Sequence, residues 1–180
     1  MNESSERDRE TEEELVAELE LLSVRYLSRE SSYQASRVRP PATLLADLVR
    51  QPSARVRAAA IAVLLARPEY ADAVPAALER LRPLERLTLQ SFYVAAMLLQ
   101  QEHAERLRAF MKTEWRRLPL LREVTTELNV PDEGTPAERL AALGREHQRR
   151  SRAIVNWVGT YEHVARQLIR HWEMESQWKQ

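Results

Sequence analysis

The sequence predicts an all-α protein, a helical bundle or short α-solenoid-like stack with long helices at either end. Three observations carry this. Apolar residues recur at steps of three and four along most of the 180 residues, the spacing that places them on one face of a helix. Only 3 glycines stand against 9 prolines, too few for the turn chemistry of hairpins. The prolines also fall between segments of helical length, where each occupies a first turn or a linker without losing a needed hydrogen bond. At this length one domain with a real core is expected.

The first ten residues are polar, charged and without periodicity, which predicts a disordered acidic tail over 1–10 ahead of a single helical domain over 11–180. Thr11 stands three residues before Glu14, the capping-box spacing, and Glu12, Glu13 and Glu14 suit the positive end of a helix dipole. Leu15, Leu19, Leu22, Tyr26 and Tyr33 share one face, so a helix is expected over 11–37, stopping before Pro40 and Pro41. Short helices follow at about 43–51, 54–66, 70–82, 84–100, 102–118 and 120–129. VRAAAIAVLLA (56–66) and LTLQSFYVAAMLL (87–99) are apolar most of the way round and should be central, whereas their neighbours carry one stripe, such as Leu44, Leu45, Leu48 and Val49.

Thr135, Pro136 and Glu138 form another start signal. Leu140, Leu143, Ile154, Trp157, Tyr161, Val164, Leu168 and Trp172 then keep a spacing near 3.5 residues, predicting one long helix over 136–176, bent near Gly144. The two terminal helices are expected to pack antiparallel on each other, or on their copies in a homodimer.

Composition narrows the function classes. There is no cysteine, which excludes disulfides, thiolate metal sites and a cysteine nucleophile and fits a reducing, cytoplasmic setting. The opening residues lack the regions of a signal peptide, and no apolar run approaches a membrane span. The net charge of zero hides an asymmetry: residues 1–20 hold nine acids against Arg7 and Arg9. Either this is a solvated end, or the acidic arm lies over Arg145, Arg149, Arg150 and Arg152. Lys112 and Lys179 are the only lysines among 27 basic residues; this excess of arginine either meets a need for planar bidentate donors or, with the abundant Ala and Leu, reflects a GC-rich genome, the ordinary reading.

The stretch LLADLVRQPSARVRAAAIAVLLA, residues 44–66, resembles one HEAT repeat. An amphipathic helix carries Leu44, Leu45 and Leu48, Pro52 makes the turn, and Val56-Arg57 leads into Ala58, Ala59 and Ala60 of a second helix. Gln51 departs from the acidic or Asn residue usual there. A second unit, Val74 to Leu99 with Pro83 in its turn, lacks the Val-Arg pair. The resemblance, extended to a HEAT-like middle over 43–129, implies a scaffold that binds partners and brings no catalytic residues. Separately, RQLIRH resembles the arginine, four to six residues, then histidine motif of the all-helical HEPN ribonucleases. It implies that Arg166 and His171 act on an RNA backbone across a dimer interface, although Gln167 stands where that family has Asn, Asp or His.

His147 and Arg150 share the stripe of Leu143 and Ile154. Buried polar groups need partners, so the seam is expected to open to solvent there, the alternative being a polar site inside it. REHQRRSR (145–152), with Arg106, Arg108, Lys112, Arg116 and Arg117, is a candidate basic surface for phosphates, against the ordinary reading of a solvated helix face. Candidate binding residues are therefore Arg145, His147, Arg149, Arg150, Arg152, Arg116 and Arg117. The histidines at 103, 147, 163 and 171 lack metal-ligand spacing, and neither metal nor cofactor is expected. The function expected is a non-enzymatic helical protein–protein interaction module, an adaptor or small subunit of a bacterial assembly. The alternative is a nucleic-acid-associated protein, with a HEPN-like ribonuclease as its catalytic version.

Overall fold

A computed structural model describes residues 3–25, 27 and 34–178. It is 73% helical, and the described residues contain no strand. The helices are α1 (Glu3–Leu21), α2 (Pro41–Arg50), α3 (Ala54–Ala66), α4 (Val74–Leu78), α5 (Pro83–Glu102), α6 (Ala104–Met111), α7 (Arg122–Thr125), α8 (Pro136–Ser151) and α9 (Trp157–Trp178), with 3-10 turns at Pro68–Ala73 and Lys112–Glu114. None is long and apolar enough to cross a membrane.

α1 corrects the sequence reading at both ends. It begins at Glu3 instead of Thr11, because nothing in 3–10 breaks a helix and its Glu and Arg are good helix formers. The described part of the expected tail is therefore helical. It stops at Leu21, far short of residue 37, in a Schellman arrangement. Ser23 takes a left-handed φ of 60°, Val24 N–H donates to Leu19 O (2.9 Å) and Ser23 N–H to Glu20 O (2.9 Å). Val24 and Leu19 are both buried, the apolar contact that usually accompanies this cap. Tyr26 and Tyr33 of the expected stripe lie outside the described residues.

The prolines place the middle helices. Pro41, Pro75, Pro83 and Pro136 each sit in a helix's first turn, where a missing N–H costs nothing. Arg57 closes the tight turn between α2 and α3, donating to the carbonyls of Gln51 (2.7 Å) and Pro52 (2.8 Å). α3 and α5 are central as expected: Ala58–Leu65 are almost inaccessible, as are Leu89, Phe92, Tyr93 and Leu99. α1 is tied to α2 by Arg39, whose guanidinium meets Glu18 (2.6 Å) and Asp47 (2.7 Å).

Two expected helices, 102–118 and 120–129, shrink to α6 and α7. Between them an irregular segment is held against α5 by side chains that satisfy its backbone. Gln100 donates to Arg116 O (2.9 Å) and accepts from Leu118 N–H (2.8 Å), and Tyr93 donates its hydroxyl hydrogen to Pro119 O (2.7 Å). A chain whose polar groups are met this way has no need of helical bonds.

The predicted start of α8 is present. Thr135 Oγ1 accepts from Glu138 N–H (3.2 Å), and the Glu138 carboxylate accepts from Thr135 N–H (2.8 Å). Thr135→Ala removes the hydroxyl half of this box and is expected to lower Tm by about 2–4 °C in a calorimetric scan.

The single helix expected over 136–176 is two. Arg152 adopts φ 54°, ψ 21°, ending α8, and Asn156 starts α9 by accepting from Gly159 N–H at 3.0 Å. Ile154 lies in this link and is 98% exposed, not in the seam. α9 then packs on α3, α5, α6 and α8 instead of lying along α1, because its apolar face completes the cover of α3. The turn after α1 meets α9 through an Arg25–Glu175 ion pair (3.0 Å). α3 and α9 run parallel: the first turns of both line one surface hollow, and the C-terminal ends of both line another.

Candidate binding surfaces

His147 is completely buried, so the seam does not open to solvent at this point; the alternative, a polar site inside it, is what the packing produces. The break at Arg152 lets the start of α9 fold back over α8. His147 Nδ1 then shares a 2.7 Å hydrogen bond with the Tyr161 hydroxyl. Its ring stacks on Trp157 with centroids 3.8 Å apart and planes 12° from parallel, and Phe92 of α5 meets it edge-on at 6.1 Å. His147 Nε2 and Trp157 Nε1 are buried without a hydrogen-bond partner among the described residues. Burial, with the positive charges of Arg57 and Arg150 nearby, lowers the His147 pKa to about 3, and burial raises that of Tyr161. At neutral pH both groups are uncharged parts of an aromatic core.

The other basic residues do not converge on one face. Arg149 is spent on Glu146 of its own helix (2.9 Å), and Arg150 donates to Glu127 O (2.7 Å). Arg116 forms a two-pronged bond to Asp72 (2.9 and 2.7 Å), which holds that carboxyl below its ordinary range. Arg145 and Arg152 are exposed. Glu14 and Glu18 of α1 engage Arg39, so these acids are not laid over the α8 arginines.

Arg166 and His171 are not brought together within one chain. Arg166 lines the hollow at the N-terminal end of α9, while His171 lies 4.0 Å from Glu175. Five residues turn a helix through about 140° beyond a full circle, which sends the two side chains to different surfaces. No three His, Asp or Glu side chains gather to hold a metal ion among the described residues.

What does converge is a groove of about 670 Å³ between α5 and the segment from Arg117 to Arg139. Val94, Met97 and Leu98 of α5 with Leu128 and Val130 opposite supply its apolar lining, beside the polar Gln101, Thr125 and Thr126. Arg117, Arg122 and Arg139 stand around it with a single carboxylate, Asp132. Leu120, another lining residue, is 63% exposed. The irregular 115–121 segment, pinned by Gln100 and Tyr93, gives the groove its second wall. Of these residues the sequence singled out Arg117 alone. Arg122 and Arg139 lie in separate segments, and only the turn at Pro131, whose carbonyl accepts from Arg139 Nε at 2.8 Å, brings them to one place.

No family model matches the chain, and no match arises among the curated proteins or the solved structures compared with it.

Proposed function

We propose that the protein is a non-enzymatic helical interaction module that docks an acidic, apolar peptide segment of a partner in the groove between α5 and residues 117–139. One observation carries this reading: a groove of mixed apolar and polar lining with three guanidiniums around it against one carboxylate. Apolar floors supply affinity by burial, and a charged rim selects the complementary partner and speeds its encounter. The volume of about 670 Å³ lies in the range of natural ligand pockets, enough for two or three side chains of an extended or helical segment. An adaptor or subunit role in a bacterial, cytoplasmic assembly is part of the same proposal. The HEAT-like reading of 44–66 stays a proposal beside it, with α2 and α3 supplying the two helices of such a unit; so does self-association through α1 and α9. The nuclease alternative, in which Arg166 and His171 would act across a dimer interface, stays a second proposal; within one chain the two side chains face different surfaces of α9.

The test is selection of peptides from a random displayed library on the full chain. Selected peptides should be rich in Asp, Glu and large apolar residues. They should lose about tenfold or more in affinity for Arg117→Glu/Arg122→Glu, a variant of two exposed residues whose circular dichroism should match the parent. Peptides without acidic bias, or equal binding to the charge-reversed variant, would refute the docking site.

A further inference from the structure

The apolar stripe of α8 and α9 keeps its phase across the break that separates them. Leu140, His147, Ile154, Tyr161 and Leu168 recur every seven residues, and Leu143, Arg150, Trp157 and Val164 do the same three residues further on. That is the spacing of one continuous helix against a partner. Two helices joined by a bend need no common phase, because the bend sets the facing of each independently.

The link over 152–156 contains neither proline nor glycine, so nothing in it forbids a helix. The bend is made by Arg152 in the left-handed region, at φ 54° and ψ 21°, a conformation that is costly for any residue with a Cβ and free for glycine. It also strands Ile154, which is 98% exposed. What the bend achieves is to return α9 over α3, α5 and α8, burying Trp157, Tyr161, Val164 and Leu168. The same surfaces are equally complementary to the α9 of a second copy once the link straightens, and short links under strain are where such exchange arises. Detachment is eased at the first turns of α9. His147 Nε2 and Trp157 Nε1 have no hydrogen-bond partner among the described residues, so opening returns two buried polar atoms to water and offsets part of its cost.

We infer that two copies of this chain exchange α9: α8, the link and α9 straighten into one helix, and the α9 of each copy seats on α3, α5 and α8 of the other. The straightened links cross about the two-fold axis, where Ile154 of each copy is covered by the other. This interface uses the buried face of α9, unlike association of closed chains through the outer faces of α1 and α9, and it shares no residue with the peptide groove.

Exchange requires α9 to detach, so the full chain is concentrated, held a few degrees below its Tm, cooled, and fractionated by size exclusion with light scattering. A dimer at least as helical as the monomer is expected, reverting slowly on dilution. Arg152→Gly, which relieves the bend, should shift the balance toward monomer by about tenfold or more, since both links of a dimer change. Ile154→Glu should also disfavour the dimer while leaving the Tm of the monomer unaltered. The path of the chain is read with Gly144→Cys/Val158→Cys, in a protein with no other cysteine. A Cβ built at residue 144 lies 3.6 Å from Val158 Cβ, within disulfide range. Oxidised after separation, the dimer should become covalent, and the monomer should become an internally bridged chain that no longer dimerises. Arg152 and Ile154 are exposed, so their variants carry the test even where the cysteine pair does not fold. A dimer whose bridges all lie within single chains, a dimer indifferent to both single substitutions, or no dimer after this treatment overturns the inference.

Discussion

Between pH 6.5 and about 3 the protein is expected to lose roughly 3–5 kcal/mol of stability through His147 alone. The unfolded chain exposes an ordinary imidazole that takes up a proton as pH falls through its unfolded value. In the fold, burial, Arg57 and Arg150 keep the ring neutral until about pH 3. Across this window the unfolded state binds the extra proton, so stability rises with pH by up to about 1.4 kcal/mol per unit and is flat above it. Against total stabilities of about 5–15 kcal/mol for single domains, that is a large share of the lower end of the range. Urea titrations at half-unit pH steps measure the slope. In His147→Leu/Tyr161→Phe, which removes both partners of the 2.7 Å bond and leaves no unmatched half, the slope over pH 4–6 should fall by most of its value. An unchanged slope would mean that the ring is reached by water and protonates readily in the fold.

The second large effect is expected at Gly144. A Cβ built there lies 2.4 Å from Val158 Cγ2 and 3.3 Å from Val158 N, so α8 and α9 approach more closely than any side chain permits. Replacing a helical glycine by alanine ordinarily stabilises by about 1 kcal/mol. Here the overlap should reverse the sign, giving a net loss of about 1–3 kcal/mol for Gly144→Ala, and more for Gly144→Leu. Val158→Ala removes the overlapping methyl and should restore at least half of the loss in the double variant, a coupling that a double-mutant cycle reads directly. Stabilisation by Gly144→Ala alone would show that the helices separate freely at this crossing.

Some boundaries announced by proline or by a capping residue were readable: Pro41, Pro83 and the Thr135–Glu138 box act in the fold as their chemistry suggests, whereas the Thr11–Glu14 spacing starts no helix, because α1 already runs from Glu3. Two of the misplaced helix ends, those of α1 and α8, share one cause. Ser23 and Arg152 both enter the left-handed region, a conformation usually signalled by glycine. Asn156 was a legible start signal that the continuous apolar spacing masked.

The consequences for the candidate sites follow from the same break. Trp157 and Tyr161 were readable as core from their stripe, and His147 as a polar group in an apolar seam. The resolution of that conflict depended on the turn that returns Tyr161 to it. The peptide groove was hidden for a different reason: α5 is apolar most of the way round, so Val94 and Met97, which floor an open surface, look no different in sequence from residues sealed on every side.

The parallel pairing of α3 with α9 also constrains the order of events during synthesis. The two helices are separated by some ninety residues, yet α9 covers part of the apolar surface of α3. On the ribosome, at roughly 5–20 residues per second, α3 emerges many seconds before its cover exists. Throughout that interval Ala58–Leu65 can be sheltered only by α1, α2, the 3-10 turn at Pro68–Ala73 and the growing α5. The nascent chain is thus most exposed to chaperones and to self-association just before its last helix clears the exit tunnel, and completion of the fold must wait for this distant contact.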